Sequence, residues 1–198
     1  MKAREIIVLL LIIAGGVILT QEKTGRVWPG WRAGDFLFFD GRTFTYEESR
    51  VVDGPLPAGL RVVNAHGEVT VEGATTDRLT LILKKTIRRR TEDEARAVAS
   101  GLHPTVSSDG RTLLIGTNRA DFPRQQFSTD LWLTVPSGLA VEVENSYGTV
   151  KLVRLAGAAV VNRHGGVEVS GLDGPVRVEN SHADVTIDGL LGSCEIKS

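Results

Sequence analysis

The sequence predicts an all-β solenoid built from 17–18-residue rungs, with one short helical insertion and an N-terminal transmembrane helix. Three observations predict it. One phrase recurs nearly unchanged as Asn64-Ala-His-Gly-Glu-Val69, Asn145-Ser-Tyr-Gly-Thr-Val150, Asn162-Arg-His-Gly-Gly-Val167 and Asn180-Ser-His-Ala-Asp-Val185. The last three copies begin 17 and 18 positions apart, and a fixed short period of strand-like segments marks stacked repeats. An unbroken apolar stretch, Ile6 to Leu19, follows Lys2 and Arg4.

Composition narrows the function classes. The 198 residues carry 23 basic and 24 acidic side chains, so no global field draws in nucleic acid. A single cysteine, Cys194, cannot form an internal disulfide, which leaves backbone pairing and apolar stacking to hold the fold. With 22 glycines and few aromatic residues, the chain suits a turn-rich β protein.

Residues 1–5 form a short, net basic N-terminus that the positive-inside bias leaves in the cytoplasm. Residues 6–20 then read as a single-pass anchor or as a secretory signal. Fourteen apolar residues span about 21 Å as a helix, short of the roughly 30 Å hydrocarbon layer unless Lys2, Arg4 and Lys23 snorkel. The polar Thr20-Gln-Glu-Lys23 that follows lacks a small-x-small cleavage site and favours the anchor. This places the protein at the cell membrane with everything after the span outside the cytoplasm, in the periplasm or at the cell surface. Trp28 and Trp31 flank Pro29-Gly30 at the depth where indoles settle, or else pack on the β domain.

Residues 21–59 are a juxtamembrane linker and a hairpin, with Phe36, Phe38, Phe44 and Tyr46 alternating about Asp40-Gly41. Residues 60–198 are the solenoid, interrupted at about 78–136. In that interruption Leu79, Leu81 and Leu83 alternate as a strand running into Lys84-Lys-Thr-Ile-Arg-Arg-Arg90. Thr91-Glu-Asp-Glu94 is a capping box, and Ala95, Val98, Ala99 and Leu102 follow at helical spacing up to Gly101. Strands at Thr105–Ser107, Thr112–Gly116 and Asp130–Val135 complete what reads as a crossover excursion.

Aligned on their Asn, the repeats place apolar residues at constant offsets. Leu60 and Val62 match Val141 and Val143, Ala158 and Val160, and Val176 and Val178 before it. Val69 and Val71 match Val150 and Leu152, Val167 and Val169, and Val185 and Ile187 after it. Each copy is thus two strands joined by a Gly-bearing corner, with one interior shared by the stack. Asn145, Asn162 and Asn180 continue the inward phase, and an isolated buried amide would cost about 1–3 kcal/mol, so a structural ladder is expected of them. Tyr147, His164 and His182 form a second column, with His66 in the distant copy; no cysteine or fixed carboxylate completes a coordination set, so no metal and no cofactor is expected. Lys151 should meet Glu168, and Arg177 should meet Glu195. Cys194 takes the place of Val176 in the last strand and reads as a buried small hydrophobe.

These repeats, the short N-terminal apolar segment and the capped helix resemble the bacterial putative adhesin domain family, relatives of the head GIN domain, over roughly Leu60 to Ser198. The resemblance implies a single-stranded, right-handed parallel β-solenoid on an envelope protein, and it brings no catalytic residue. The last copy departs from the pattern with Ala183 in place of Gly.

The function expected is a non-enzymatic, membrane-anchored, extracytoplasmic binding or scaffolding module of the cell envelope. One alternative is a regulatory membrane protein acting through a protein partner; another is a polysaccharide-active β-helix enzyme. Candidate partners are the membrane, an envelope protein, and an anionic glycan or lipid met by Lys84, Lys85, Arg88, Arg89 and Arg90. End-to-end self-association through the C-terminal rung is a further candidate, and no nucleic acid is expected.

Overall fold

Alternation of Val, Leu and Ile with polar residues produces fourteen strands in the computed structural model, which describes residues 41–123 and 125–197. The chain runs through β1 (Arg42–Val52), β2 (Gly59–His66), β3 (Val69–Ala74), β4 (Leu79–Arg89) and the helix α1 (Glu92–Gly101). It continues through β5 (Pro104–Ser108), β6 (Thr112–Thr117), β7 (Phe127–Pro136), β8 (Ala140–Tyr147) and β9 (Val150–Val153). The last strands are β10 (Gly157–His164), β11 (Val167–Ser170), β12 (Val176–Asn180), β13 (Val185–Asp188) and β14 (Cys194–Lys197).

The strands form two mixed sheets of seven. The first has the order β1-β4-β7-β3-β9-β11-β13 and the second β14-β12-β10-β8-β2-β6-β5. This corrects the expected single-stranded parallel solenoid: β1 with β4, β4 with β7, and β5 with β6 all pair antiparallel. The physical reason lies in the segment between the first and second copies. Leu79, Leu81 and Leu83 are fully buried, and so are Leu131 and Val135, so this segment needs the same core as the repeats. Within it β4 pairs antiparallel with β1 and β7, and β5 with β6, while β6 and β7 join the repeats parallel to β2 and β3, so it extends both sheets instead of crossing over outside them. Repeat periodicity carries no signal for strands that occur only once.

The anchor expected at 6–20 and the first strand of the hairpin lie outside the described residues. Among the described residues no helix is long and apolar enough to cross a membrane. β1, expected as the second arm of a local hairpin, pairs along its whole length with β4, from Arg42 opposite Arg89 to Val52 opposite Leu79.

Each repeat gives one strand to each sheet. In the second sheet Asn64 lies opposite Asn145, Asn145 opposite Asn162, and Asn162 opposite Asn180, all in parallel register. The copy at Asn64 is therefore a direct neighbour of the copy at Asn145 despite the long segment between them. Inward residues of both sheets make one core, with Val62, Val69, Val71, Val143, Val150, Leu152 and Val178 fully buried. Each such side chain contributes on the order of 1.5–3 kcal/mol.

A smaller core lies under α1, where Ala95, Val98, Ala99 and Leu102 pack on Ile87 and Phe127. The helix begins as the capping box requires: the backbone N–H of Glu94 donates to the Thr91 hydroxyl at 3.3 Å, and the Thr91 N–H donates back to the Glu94 carboxylate at 3.4 Å. Cys194 is exposed rather than buried, because β14 is the outermost described strand of its sheet and no described strand covers it.

Candidate functional site

The repeated corner is built around backbone carbonyls that need donors. Gly67, Gly148 and Gly165 turn the chain with φ of +130°, +121° and +134°. A Cβ at Gly148 would sit 2.1 Å from the Gly67 oxygen, and one at Gly165 would sit 2.3 Å from the Gly148 oxygen. Only glycine allows both that dihedral and that approach.

The Asn side chains reach these carbonyls from inside. Asn145 donates its amide to the Gly67 oxygen at 3.2 Å and to the Gly148 oxygen at 3.1 Å. Asn162 does the same to Gly148 at 3.1 Å and Gly165 at 2.8 Å, and Asn180 to Gly165 at 3.2 Å and Ala183 at 2.7 Å. Each amide thus ties its own corner to the preceding one. All are buried, so these donors face no solvent.

Asn64 ends the column against β7. Its amide donates to the Thr129 carbonyl at 2.9 Å, and the Thr129 hydroxyl donates to the Asn64 Oδ1 at 2.9 Å. Thr129 is fully buried and takes the place of a further Asn. The sequence reading missed it because β7 belongs to no repeat. Its one visible signal is an inward polar residue two positions before Leu131.

Outside the corner the rings of His66, Tyr147, His164 and His182 stack continuously, with centroids 4.6, 4.6 and 4.4 Å apart. The edges of His66, Tyr147 and His182 are exposed. His182 Nδ1 donates to the Arg163 carbonyl at 3.0 Å, which fixes a proton on that nitrogen. Burial lowers the His66 pKa from its ordinary value, and the charge of Arg119 adds to the effect. Among the described residues no group of His, Cys, Asp and Glu could hold a metal ion.

The five basic residues of β4 and its end are divided by the two-residue period. Lys85 points inward and is only 4% exposed. Its Nζ lies 2.7 Å from Glu48 Oε2 and donates to the Ala99 carbonyl at 2.9 Å. It thereby supplies the positive charge that the last turn of α1 lacks. Lys84 points outward, 4.0 Å from Asp130 Oδ2 and 5.3 Å from the centre of the Trp132 ring. Arg88 donates to the Gly41 carbonyl at 3.1 Å, Arg89 donates to Gln125 Oε1 at 2.6 Å, and Arg90 is exposed. Lys84 and Arg88 thus share the outer face, Lys85 is withdrawn from it, and Arg89, in the inward phase, is held at the strand end by Gln125.

On the outer faces, Lys151 lies 3.4 Å from Glu168, and Arg177 lies 3.9 Å from Glu195. A shallow groove of about 560 Å³ crosses the starts of β2, β8, β10, β12 and β14 over small residues such as Gly157, Ala159 and Pro175. The opposite outer face carries Trp132, which the sequence reading treated only as part of a strand. The signal was present: in Asp130–Val135 the indole is out of phase with Leu131, Leu133 and Val135.

No family model matches this chain, and no curated protein matches it. Among solved structures, it is similar to a putative cell adhesion protein from Clostridium sporogenes, with 11% identity over 77% of this chain and 99% of that one, at a TM-score of 0.39. It is also similar to a putative lipid binding protein from Parabacteroides distasonis, with 10% identity over 77% and 97% of the two chains and a TM-score of 0.27. A putative adhesin from Bacteroides fragilis shows 10% identity over 79% and 96%, at a TM-score of 0.26.

Proposed function

We propose that the chain is a non-enzymatic, adhesin-like binding module of the bacterial cell envelope, displayed outside the cytoplasm. The observation that supports it is how the recurrent polar residues are used. Asn64, Asn145, Asn162 and Asn180 spend both amide hydrogens on backbone carbonyls, and the rings of the second column spend their faces on one another. Catalysis needs converging groups held free for a substrate. These amide hydrogens and ring faces are instead committed to the frame, and what they hold together is a pair of seven-stranded sheets whose outer faces are left for binding. The basic start of the chain and its apolar stretch, Ile6 to Leu19, support export.

Co-sedimentation of the full chain with purified bacterial cell-wall polysaccharide tests this reading, with reducing ends measured in the same tubes. Retention without new reducing ends is expected. Release of reducing ends, or no retention on any envelope material, would overturn it.

A further inference from the structure

We propose that the outer face of the first sheet around Trp132 binds a neutral polysaccharide. The inference rests on the reading of the chain as a binding module. Leu131 and Leu133 on either side of Trp132 are buried, whereas the indole stands half-exposed on the outer face. Its lateral neighbours there are Ile82 of β4 and Thr70 of β3.

Around the indole, the short hydroxyls of Thr70, Thr80 and Thr134 share the outer face with the charged side chains of Lys84, Asp130 and Glu72. Thr80 and Thr134 are paired across β4 and β7 on one side; on the other, the row of Thr45, Thr86 and Ser128 lies beyond the charged row of Glu47, Lys84 and Asp130. A pyranose ring offers a patch of C–H groups on one face and hydroxyls around its rim. The C–H patch suits the electron-rich face of an indole. The rim suits threonine and serine hydroxyls, which both donate and accept.

Charge selects a neutral ligand. The cations nearest the indole already have carboxylate partners: Lys84 with Asp130, Lys151 with Glu168, and Arg154 with Glu72. A polyanion would have to break these pairs, whereas a neutral sugar can hydrogen-bond to them as they stand. The ammonium of Lys84 lies over the indole, 5.3 Å from the ring centre, so a sugar takes that face by displacing it. Its flexible stem can swing aside towards Asp130 as a sugar ring seats.

Affinity electrophoresis of the full chain in native gels tests the proposal, with dextran, a neutral β-glucan or the polyanion polygalacturonate cast in the gel. Retardation by at least one neutral polymer is expected. Trp132→Ala should weaken it by about tenfold or more, and Trp132→Phe by less, as for an aromatic hot spot. Thr70→Ala and Thr134→Ala should each weaken it about two- to threefold. Far-UV circular dichroism of each variant separates lost binding from lost fold, and Trp132→Phe keeps the test decisive if the alanine variant unfolds.

Retardation by neither neutral polymer, retardation by polygalacturonate alone, or retardation unchanged in both Trp132 variants would overturn the inference. Retention on cell-wall material that survives Trp132→Ala would overturn it while leaving the binding-module reading intact. Trp132-dependent retardation upholds it even if reducing ends appear, in which case the non-enzymatic reading falls alone.

Discussion

The repeat region, β8 to β13, and the non-repeating region of β1, β4, β7 and α1 solve the same problem with different chemistry. Both must supply donors to buried backbone carbonyls, of the corners in one and of the helix end in the other. In the repeats a neutral amide does this, and each Asn meets two corner oxygens. In the non-repeating region a buried ammonium, Lys85, reaches the Ala99 carbonyl at the end of α1 and is balanced by Glu48. The first solution can be copied along a stack because it carries no charge. The second occurs once, at a place where helix and sheet happen to meet.

That contrast is sharpest in its energetics. Lys85→Ala should destabilise the fold by about 3–5 kcal/mol in urea unfolding, because Glu48 is left behind only 14% exposed, with the half-exposed ring of His103 as its one remaining close partner among the described residues. The paired change Lys85→Met with Glu48→Leu should recover most of that loss, since removing both charges removes the desolvation cost as well. If the double variant is no more stable than Lys85→Ala, the ammonium's bond to α1 outweighs the ion pair.

Asn162→Ala should cost less, about 1–3 kcal/mol, by removing one of the two amide donors that the Gly148 and Gly165 carbonyls each receive. Asn162→Asp should be worse than Ala at neutral pH, because a carboxylate would face two carbonyl oxygens. Protonation at low pH should narrow the gap, since a carboxylic acid can donate once. Equal stability of the two variants across pH would mean that the side chain is not held between the carbonyls.

The smallest effect should come from the ring column. The His66 pKa is lowered in the folded state, chiefly by burial and then by Arg119. Protonation therefore favours the unfolded chain. The contribution is intact above the ordinary histidine value of about 6.5 and is lost as pH falls through it towards the folded value. His66→Gln should flatten the decline in stability between pH 7.5 and pH 5.5. An unchanged slope would place the decline on other groups.

Much of the repeat region was legible in the sequence. The offsets of Val143, Val160 and Val178 about each Asn already placed them together, and their strands stack in that register. The capping box of Thr91 and Glu94 was equally plain, because it is local chemistry within four residues. The non-repeating region was not. Leu79–Leu83 was visible as a strand, but nothing in its pattern chose β1 and β7 as antiparallel partners. Lys85 looked like one of five surface cations until strand phase and the seat of α1 placed it inside.

For the sites, the sequence singled out the corner residues because they recur, and recurrence reports what every repeat needs. Trp132 occurs outside the repeats, so no periodicity marks it, and its importance depends on neighbours from four other segments of the chain. Sequence by itself determined what is local or repeated: strand phase, the Asn-Gly corners, the helix start and the alignment of like residues. Tertiary structure alone decided the two mixed sheets, Thr129 as the end of the Asn column, the burial of Lys85, and the place of Trp132 between Ile82 of β4 and Thr70 of β3. The physical reason is that hydrogen-bonded strands choose partners by shared burial across long stretches of chain, and a linear pattern records a residue's phase but not which distant strand will lie beside it.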